Sequence, residues 1–466
     1  MKKNQTVEVT IEDIGINGEG IGKYDGYPLF IKDAIVGDRI EALITKASKN
    51  YGYARLSRII TPSPDRVEAR CRQARTCGGC QLQELSYDRQ LFFKEKKVRD
   101  SLRRIGGFDE AVLDRVFEPI MGMDDPWYYR NKAQVPVGYD RSGKLVAGFF
   151  AGRTHQIIPM EGCVINMPGS DAVINKVLNY MQANRITAYD ETSGKGTVRH
   201  ILLRYGFFSG QWMVCLVIND PSGEKLRNSD QLIESLREIP GMTSISFSPN
   251  TRNTNVIMGE TYKTIWGEPC IHDTIGDLEY EISPLSFYQV NPKQTKVLYE
   301  TALAYAGLTG NETVWDLYCG IGTISLFLAR NAARVYGVEV VPQAIEDAKR
   351  NAALNRIENT EFICGRAEEV LPARFAETGE RADVIVVDPP RKGCDEVLLE
   401  TITRMAPDRV VYVSCDSATL ARDLKYLAAN GYRLEKVRPC DQFSHTAHVE
   451  VVVMLSRTEG ESGTSL

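Results

Sequence analysis

The stretch Thr313–Arg330, "TVWDLYCGIGTISLFLAR", decides the fold of this 466-residue chain. Strand-forming residues run up to Cys319, Gly320 and Gly322 follow, and an apolar, helix-like segment begins at once. Glycines at a strand-to-helix turn let a ligand approach the backbone. The next strand ends at Glu339, about 20 positions on, where a carboxylate can accept hydrogen bonds from ribose hydroxyls. The stretch therefore predicts an α/β domain that binds a nucleoside-bearing cofactor.

The glycine turn fits a dinucleotide poorly. Cys319–Thr323 lacks the third glycine of the dinucleotide fingerprint, so the pyrophosphate cradle is incomplete. Asp316, just before the turn, would repel phosphate but suit the ammonium of an amino acid. S-adenosylmethionine has that ammonium and no phosphate, so this motif favours it. An ordinary glycine turn of an α/β sheet is the competing interpretation.

Strands and helices alternate from about Thr274 to the end of the chain. This pattern predicts a mostly parallel sheet that helices cover on both faces. The last two strands have no helix between them and predict an antiparallel hairpin at one edge. The predicted strands are "TVWDLYC", "RVYGVEV", "EFICG", "ADVIVVDPP", "RVVYVSC", "YRLEKVRPC" and "HVEVVVML".

The first half of the chain has a different character. Short alternating strands with glycine turns fill residues 6–60 and predict a small β-barrel. Residues 67–269 are mixed and strand-rich, with an amphipathic helix near 86–105 that we expect to pack on the catalytic domain. We therefore expect a barrel domain at 1–61, a central domain at 66–272, an α/β domain at 273–457 and a disordered tail at 458–466.

Composition and charge narrow the class of protein. The chain is 43% hydrophobic and 25% charged, as in ordinary globular proteins. It opens without a signal peptide and contains no run of 18 apolar residues, so we expect a cytoplasmic protein without a membrane partner. The net charge of −5 argues weakly against nucleic acid, but basic and aromatic residues interleave in 46–58 and cations cluster in 94–104. Each cluster is a solvated face or an RNA-binding surface.

Two strand tips carry residues of chemical interest. Cys415 ends "RVVYVSC" and is either a nucleophile or a small packing residue. Asp388 ends "ADVIVVDPP", which resembles the motif of amino-group methyltransferases, where an aromatic residue follows the two prolines. Arg391 takes that place here. Methyl transfer to an exocyclic nitrogen is therefore disfavoured.

A group of cysteines suggests a metal site. Cys71, Cys77 and Cys80 are separated by five residues and by two glycines, and Cys163 is the candidate fourth ligand. Their spacing alone does not separate zinc from an iron-sulfur cluster. The remaining cysteines are interpreted as packing residues: Cys215, Cys270, Cys319, Cys364, Cys394 and Cys440.

Six motifs, in order along the chain, resemble those of the RNA 5-methyluridine methyltransferases, and specifically the iron-sulfur-containing 23S ribosomal RNA branch. The barrel resembles a TRAM domain, an OB-like RNA-binding module. The resemblance extends to about Ser456 and implies a Rossmann-like class I methyltransferase domain. The motifs are "CRQARTCGGCQLQ", "SPLSFYQVNP", "DLYCGIGTISL", "VDPPRKG", "VSCDSATLARD" and "FSHTAHVE".

The resemblance also implies roles for single residues. Cys415 would be the nucleophile and Glu450 the base. A 4Fe-4S cluster would be held by Cys71, Cys77, Cys80 and Cys163. S-adenosylmethionine would be contacted by Gln289, Tyr318, Glu339 and Asp388. The chain departs from the family at Asp416-Ser417, where Asn-Pro or Asp-Pro is usual, and at Ser444, where proline is frequent.

The expected reaction is methylation of carbon 5 of a uridine in 23S ribosomal RNA. For its chemistry we expect the following helix to lower the pKa of Cys415 and burial to raise the pKa of Glu450. Phe287 or Tyr288 is a candidate to stack on the target base, with core packing as the alternative, and His445 and His448 are expected to be structural or to orient the substrate.

Three other functions stay open at this point. The same reaction on a transfer-RNA uridine would need the same residues. A cytosine-5 methyltransferase also uses a cysteine, but its usual Pro-Cys context is absent. An inactive methyltransferase fold that only binds RNA is disfavoured by the intact set of site residues. No obligate protein partner is predicted.

Overall fold

The computed structural model describes residues 1–152, 154–222 and 226–458. The chain begins with a closed five-stranded barrel in the order β1-β2-β3-β5-β4, as the sequence predicts. Alternate residues of β1, such as Val7, Val9 and Ile11, point into the barrel and are buried. The strands are β1 Thr6–Ile14, β2 Gly20–Tyr24, β3 Tyr27–Lys32, β4 Arg39–Ala47 and β5 Gly52–Thr61.

The central part of the chain forms a seven-stranded sheet in the order β12-β11-β10-β9-β6-β7-β8. The predicted strands are present, and two helices that the sequence analysis did not identify pack with this sheet in one apolar core. The elements are β6 Lys132–Tyr139, β7 Leu145–Phe150, β8 Ile157–Pro159, α3 Ser170–Ala183, β9 Val198–Tyr205, β10 Trp212–Ile218, α4 Ser229–Arg237, β11 Met242–Pro249 and β12 Lys263–Gly267.

A short hairpin joins this sheet to the C-terminal domain. Its strands, β13 Ile271–Ile275 and β14 Leu278–Ile282, pair antiparallel. The inward side of the hairpin packs in the core of the C-terminal domain through Ile271, Tyr280 and Ile282. The hairpin is therefore a structural link between the two sheets.

The C-terminal domain contains the predicted parallel sheet, in the order β17-β16-β15-β18-β19-β21-β20. Five strands are parallel, and the last two form the predicted antiparallel edge. The elements are α5 Pro292–Ala306, β15 Thr313–Leu317, α6 Thr323–Ala329, β16 Arg334–Glu339, α7 Pro342–Leu354, β17 Thr360–Cys364, α8 Ala367–Thr378, β18 Val384–Val387, α9 Glu396–Met405, β19 Arg409–Ser414, α10 Ser417–Ala429, β20 Tyr432–Cys440 and β21 Glu450–Arg457.

The strand order fixes the position of the site. From β15 the chain moves outward to β16 and β17, and it then returns to β18 on the other side of β15. In open α/β sheets a ligand binds at the carboxyl ends of the strands, where the order reverses. The crevice between β15 and β18 is therefore the expected binding position.

An N-terminal helical segment packs on the C-terminal domain. Helix α1 Tyr87–Ser101 continues as a π-helical turn, Leu102–Gly106, and is followed by α2 Glu110–Val116. Val98, Leu102 and Leu113 are fully buried in the same core as the strands β18 and β19. This segment therefore packs against the sheet of the C-terminal domain.

Among the described residues, no helix combines the length and the apolar character that crossing a bilayer requires.

The predicted disordered tail, 458–466, lies outside the described residues except for Thr458. Its N–H donates to the carbonyl of Gly431 at 2.9 Å.

Candidate active site

A cavity of about 880 Å³ opens at the carboxyl edge of the parallel sheet, between β15 and β18. The structure brings all six predicted cofactor and catalytic residues to its wall. They come from a loop before α5, from the ends of β15, β16, β18 and β19, and from the start of β21: Gln289, Tyr318, Glu339, Asp388, Cys415 and Glu450.

The turn after β15 has the backbone geometry that its glycines suggest. Gly320 and Gly322 have φ angles of 57° and 83°, a region that favours glycine. A Cβ on Gly322 would also lie 3.2 Å from Ala348 and Phe362, so the turn packs closely against α7 and β17. Tyr318 adopts a φ of 73° at the cavity wall. The turn is therefore held in one uncommon conformation.

Glu339 is fixed by this turn. One carboxylate oxygen accepts from the backbone N–H of Gly320 at 3.2 Å, and the other accepts from Val341 at 2.9 Å. Because a carboxylate has about four acceptor positions, Glu339 can still accept hydrogen bonds from the two hydroxyls of a ribose. The arrangement agrees with the position that the sequence predicts for a nucleoside.

Asp316 lies beneath the turn and is fully buried, and one of its oxygens accepts from the hydroxyl of Ser325. Its other oxygen, Oδ1, has no hydrogen-bond partner among the described residues. Burial raises its pKa to about 7. That Asp316 meets an amino-acid ammonium therefore stays a prediction.

Asp388 lies on the opposite side of the crevice. Burial, followed by the nearby carboxylate of Asp316, raises its pKa to about 7. The two prolines after it turn the chain outward and leave Arg391 exposed at the cavity wall. A cation therefore occupies the position where amino-group methyltransferases have an aromatic side chain.

Cys415 follows directly after β19 and is half-buried in the cavity wall. The expected effect of the following helix on its thiol is not found. Burial, with the carboxylates of Glu450 and Asp388, raises the pKa of Cys415 to about 11. Helix α10 is capped by Asp416, whose side chain accepts from the N–H groups of Ala418 and Thr419, each at 3.0 Å.

At the departure from the family, Asp416-Ser417, hydrogen bonds hold the loop after Cys415. The Asp416 cap is one anchor, and the hydroxyl of Ser417 contacts the hydroxyl of Ser101 on α1 at 2.9 Å. The hydroxyl of Ser414 donates to the carbonyl of Asp416 at 3.1 Å. Hydrogen bonds thus take over the rigidity that a proline would supply.

Glu450 begins β21 and is 5% exposed. Burial and the neighbouring Asp388 raise its pKa to about 8, while Arg391 lowers it. This is the direction that the sequence analysis predicts for a base near the operating pH. The carboxyl also affects the Cys415 thiol, so the two groups are close enough to influence each other across the cavity.

The loop 441–449, which leads into Glu450, is anchored by α1. Lys94 is 2% exposed and forms an ion pair with the fully buried Asp441, and it also donates to the carbonyl of Phe443 at 2.9 Å. The hydroxyl of Tyr87 donates to Asp441 at 2.8 Å. These contacts make α1 part of the support for the catalytic loop.

We expect Lys94→Met to weaken this loop strongly, because it leaves a buried carboxylate unpaired. Removing one partner of a buried ion pair costs about 3–5 kcal/mol. Hydrogen exchange of residues 441–449 measures the change as a lower free energy of local opening. Lys96→Met is the matched control, since Lys96 is half-exposed and its ion pairs with Asp13 and Asp100 contribute about 1 kcal/mol or less. Equal exchange in the two variants would contradict the anchoring role.

The two histidines of this loop differ. His445 stacks on Trp127 with ring centroids 3.7 Å apart and contacts Gln90 at 3.2 Å, so it has the expected structural position. Burial lowers its pKa to about 3. His448 lines the cavity, and burial lowers its pKa to about 4, which keeps it neutral. Ser444, at the other departure from the family, is buried and its hydroxyl donates to the carbonyl of Pro126.

The two aromatic candidates for base stacking differ in exposure. Phe287 is 68% exposed and lines the cavity. Tyr288 is 2% exposed and packs in the core near Tyr280.

Two further residues of the cavity wall, Arg130 and Glu368, have no signal in the sequence. Arg130 comes from a loop before β6, and Glu368 comes from the first turn of α8.

A second cavity, of about 570 Å³, lies between the barrel and α1. It shares Arg391, Cys415 and His448 with the first cavity. Its wall carries five cations beside three carboxylates: Lys94, Lys96, Lys97, Arg104 and Arg391, with Asp13, Asp100 and Asp416. Cys415 therefore lies where the cavity at the sheet edge meets a cavity of mixed charge beside the barrel.

The four predicted metal ligands also come together. Burial raises the pKa of Cys80 to about 12, with contributions from Cys163, Cys77 and Cys71 that place all four thiols in one neighbourhood. A Cβ on Gly78 would lie 2.8 Å from the carbonyl oxygen of Phe150, so glycine allows this loop to pack on the end of β7.

Four thiols in one neighbourhood match the ligand set of a four-cysteine zinc ion and equally that of a 4Fe-4S cluster.

The fold, the glycine turn and the acidic strand ends define a class I S-adenosylmethionine-dependent methyltransferase. The family model described as tRNA (Uracil-5-)-methyltransferase matches residues 271–458, and the TRAM domain model matches residues 1–57.

Relatives along the whole chain agree. An uncharacterized RNA methyltransferase of Halalkalibacterium halodurans is 53% identical over 456 residues, 98% of each chain, and one of Bacillus cereus is 50% identical over 460 residues, also 98% of each. The solved structure of Pyrococcus abyssi tRNA (uracil-54, C5)-methyltransferase in complex with S-adenosyl-L-homocysteine has a TM-score of 0.76 and 28% identity, and covers 96% of this chain and 100% of its own. The chain belongs to the RNA uracil-5-methyltransferase family and carries a TRAM domain.

Proposed function

We propose that the protein methylates carbon 5 of a uridine in 23S ribosomal RNA, in the cytoplasm, with Cys415 as nucleophile and Glu450 as base. The observation that carries the mechanism is the meeting of both residues with Gln289, Tyr318, Glu339 and Asp388 in one cavity. The four-cysteine motif supports ribosomal RNA as the substrate, because it resembles the motif of the iron-sulfur-containing 23S ribosomal RNA branch of the family.

S-adenosylmethionine, when bound, supplies an electrophilic methyl group and a positive charge. The residues that would hold it are the Gly320–Gly322 turn, with Glu339 toward the ribose and Gln289, Tyr318 and Asp388 around the rest of the molecule. The half-buried carboxyl of Asp388 and the acceptor-rich wall suit a cation. A nearby positive charge also favours the thiolate form of Cys415 and so opposes the carboxylates that raise its pKa.

Carbon 5 of uracil is a weak nucleophile, so covalent catalysis divides the reaction into two easier steps. The Cys415 thiolate forms a bond to carbon 6, and the ring electrons move to carbon 5 as an enolate. Carbon 5 then bonds to the methyl carbon, and the bond between that carbon and the sulfonium sulfur breaks, so that S-adenosylhomocysteine would be the leaving group. Glu450, as a carboxylate, removes the remaining proton from carbon 5, and the C6–S bond breaks so that the thiolate leaves and the ring is restored.

The second cavity suits the RNA. Its wall, where cations outnumber carboxylates by five to three among the described residues, runs from the barrel along α1 to Cys415. Because a double helix hides the base edges, the target uridine must come from a loop or be flipped out. We propose that the barrel, residues 1–61, grips the RNA backbone and that the uridine enters beside Phe287, whose exposed ring can stack on a base.

The cysteine site of the central domain, 66–272, supports the catalytic loop of the α/β domain, 273–457. The N–H groups of Gln81 and Leu82, just after Cys80, both donate to the carbonyl of His445 at 2.9 Å. Gly79 reaches the wall of the main cavity. We propose that a 4Fe-4S cluster on Cys71, Cys77, Cys80 and Cys163 orders this contact and has no redox step in methyl transfer.

The cluster gives a direct prediction. Protein purified without oxygen is expected to contain about four iron and four sulfide per chain. Cys77→Ser should lower both, and Cys364→Ser, which changes an exposed thiol outside the motif, should leave both unchanged. Zinc in place of iron, lost in Cys77→Ser, would contradict the cluster.

A transfer-RNA uridine is the second candidate substrate, and the likeness to the Pyrococcus abyssi enzyme favours it. The two are separated by mapping 5-methyluridine in RNA from cells with and without the gene. We expect a 23S ribosomal RNA position to lose its methyl group while transfer RNA is unchanged. Loss from transfer RNA alone would overturn the ribosomal assignment and leave the chemistry intact.

A further inference from the structure

Three side chains of metal-ligand type meet at the hairpin that links the two sheets. The Cys270 sulfur, a His272 ring nitrogen and a Glu281 carboxylate oxygen all lie within 4.8 Å of one another. All three residues are half-buried, so their polar atoms are reachable from solvent. Cys270, for which the sequence predicts a packing role, therefore lies beside two other residues that bind metals in proteins.

The strand register puts two of the three on one face. His272 of β13 is directly opposite Glu281 of β14, and Cys270 lies in the bend just before β13, two residues before His272. The alternate residues Ile271, Tyr280 and Ile282 face the core on the other side. The positions of His272 and Glu281 thus follow from the pairing of the strands.

The backbone at this position is fixed from both sides. The N–H of His272 donates to the side-chain oxygen of Gln211 at 2.7 Å, and the N–H of Glu281 donates to Asn351 of α7 at 2.9 Å. A site with ligands on paired strands that are themselves anchored is already organised for binding.

His272 has a carboxylate partner. Its Nδ1 contacts the Glu279 carboxylate at 2.8 Å, and a proton on Nδ1 makes this a hydrogen bond that leaves the lone pair of Nε2 free. Histidines that bind metals usually donate their second ring N–H to a carboxylate in this way. Glu279 therefore supplies the orienting partner.

The local charge favours a cation. Three carboxylates, Glu281, Glu268 and Asp347, act on the Cys270 thiol, against one opposing charge, Arg350. Arg350 contacts one oxygen of Glu281 at 3.2 Å and also pairs with Asp347. The second oxygen of Glu281 is thus left for another partner.

We propose that Cys270, His272 and Glu281 form a binding site for a divalent transition-metal ion of the zinc type, with its fourth position open to solvent. A thiolate with an imidazole selects zinc-like ions over Mg²⁺ and Ca²⁺, which prefer oxygen ligands. The site is separate from the four-cysteine motif. The ion would brace the hairpin, whose Tyr280 hydroxyl donates to the carbonyl of Thr323 beneath the cofactor turn.

The test is equilibrium dialysis of the cluster-containing full-length protein against buffered Zn²⁺, followed by metal analysis. We expect about one zinc ion per chain, weaker binding by at least tenfold in Cys270→Ser and His272→Ala, and by about 10- to 100-fold in Glu279→Gln. Cys364→Ser is the control, because that thiol is exposed and stands apart from the hairpin. Zinc-edge X-ray absorption should show a Zn–S distance of about 2.3 Å that Cys270→Ser removes.

Circular dichroism and the iron content of each variant check that the fold is kept. The proposal is overturned if the wild type binds no zinc under these conditions, or if Cys270→Ser binds zinc with wild-type stoichiometry, affinity and Zn–S signal. Because the readout is zinc binding, it does not depend on which RNA the enzyme methylates.

Discussion

Cys415→Ala is expected to abolish methyl transfer to uridine, with a loss of about 10⁴-fold or more in kcat, because Cys415 is the one thiol that lines both cavities among the described residues. Binding of S-adenosylmethionine should be retained, since the glycine turn and Glu339 are untouched. Transfer of a tritiated methyl group to RNA measures the first effect and calorimetry with the cofactor measures the second.

Cys364→Ala is the matched control for this prediction. Its thiol is exposed at the end of β17 and, among the described residues, does not line the cavity. It should have wild-type activity. If Cys415→Ala kept more than about a hundredth of wild-type kcat, the nucleophile would have to be sought elsewhere.

Glu450→Gln should stop the reaction one step later. An amide cannot take the proton from carbon 5, so kcat should fall by about 10²–10⁴-fold. The covalent bond between Cys415 and carbon 6 can still form, and the methylated adduct should accumulate. Gel electrophoresis under denaturing conditions reveals it as a protein-RNA species that is short-lived in the wild type.

The pH dependence follows from the raised pKa of Glu450. Its ordinary value is 4.5 and the folded value is about 8, so the carboxyl is largely protonated at pH 6 and becomes a base as pH rises. Because the Cys415 thiol, whose pKa burial raises to about 11, must also lose its proton, activity should increase by more than tenfold per pH unit from pH 6 to near 8 and by about tenfold per unit above pH 8. Glu400→Gln, which changes an exposed carboxyl on α9, should keep this profile. A profile that is flat between pH 6 and 8 would contradict Glu450 as the base.

Much of the catalytic domain could be predicted from sequence because its signals are local. Each signal lies at the end of a strand: the glycine turn after β15, Glu339 at the end of β16 and Cys415 after β19. Parallel strands bring their carboxyl ends to one edge of the sheet. Glu450 needed the family resemblance, since a single acid in an apolar strand has no signal of its own.

Other features depend on contacts between distant segments and could not be predicted. The raised pKa of Cys415 comes from burial and from two carboxylates, Glu450 and Asp388, which the fold brings to the same cavity. Lys94 is one cation of a basic cluster in the sequence, yet it is buried against Asp441, 347 positions away.

The most direct test of the central claim uses RNA that contains 5-fluorouridine. Fluorine on carbon 5 cannot leave as a proton, so after methyl transfer the enzyme should stay bound through the C6–S bond. With S-adenosylmethionine present, mass spectrometry of the digested complex should find the methylated base on the peptide that contains Cys415, and Cys415→Ala should give no adduct. An adduct on another residue, or one that persists in Cys415→Ala, would contradict the account.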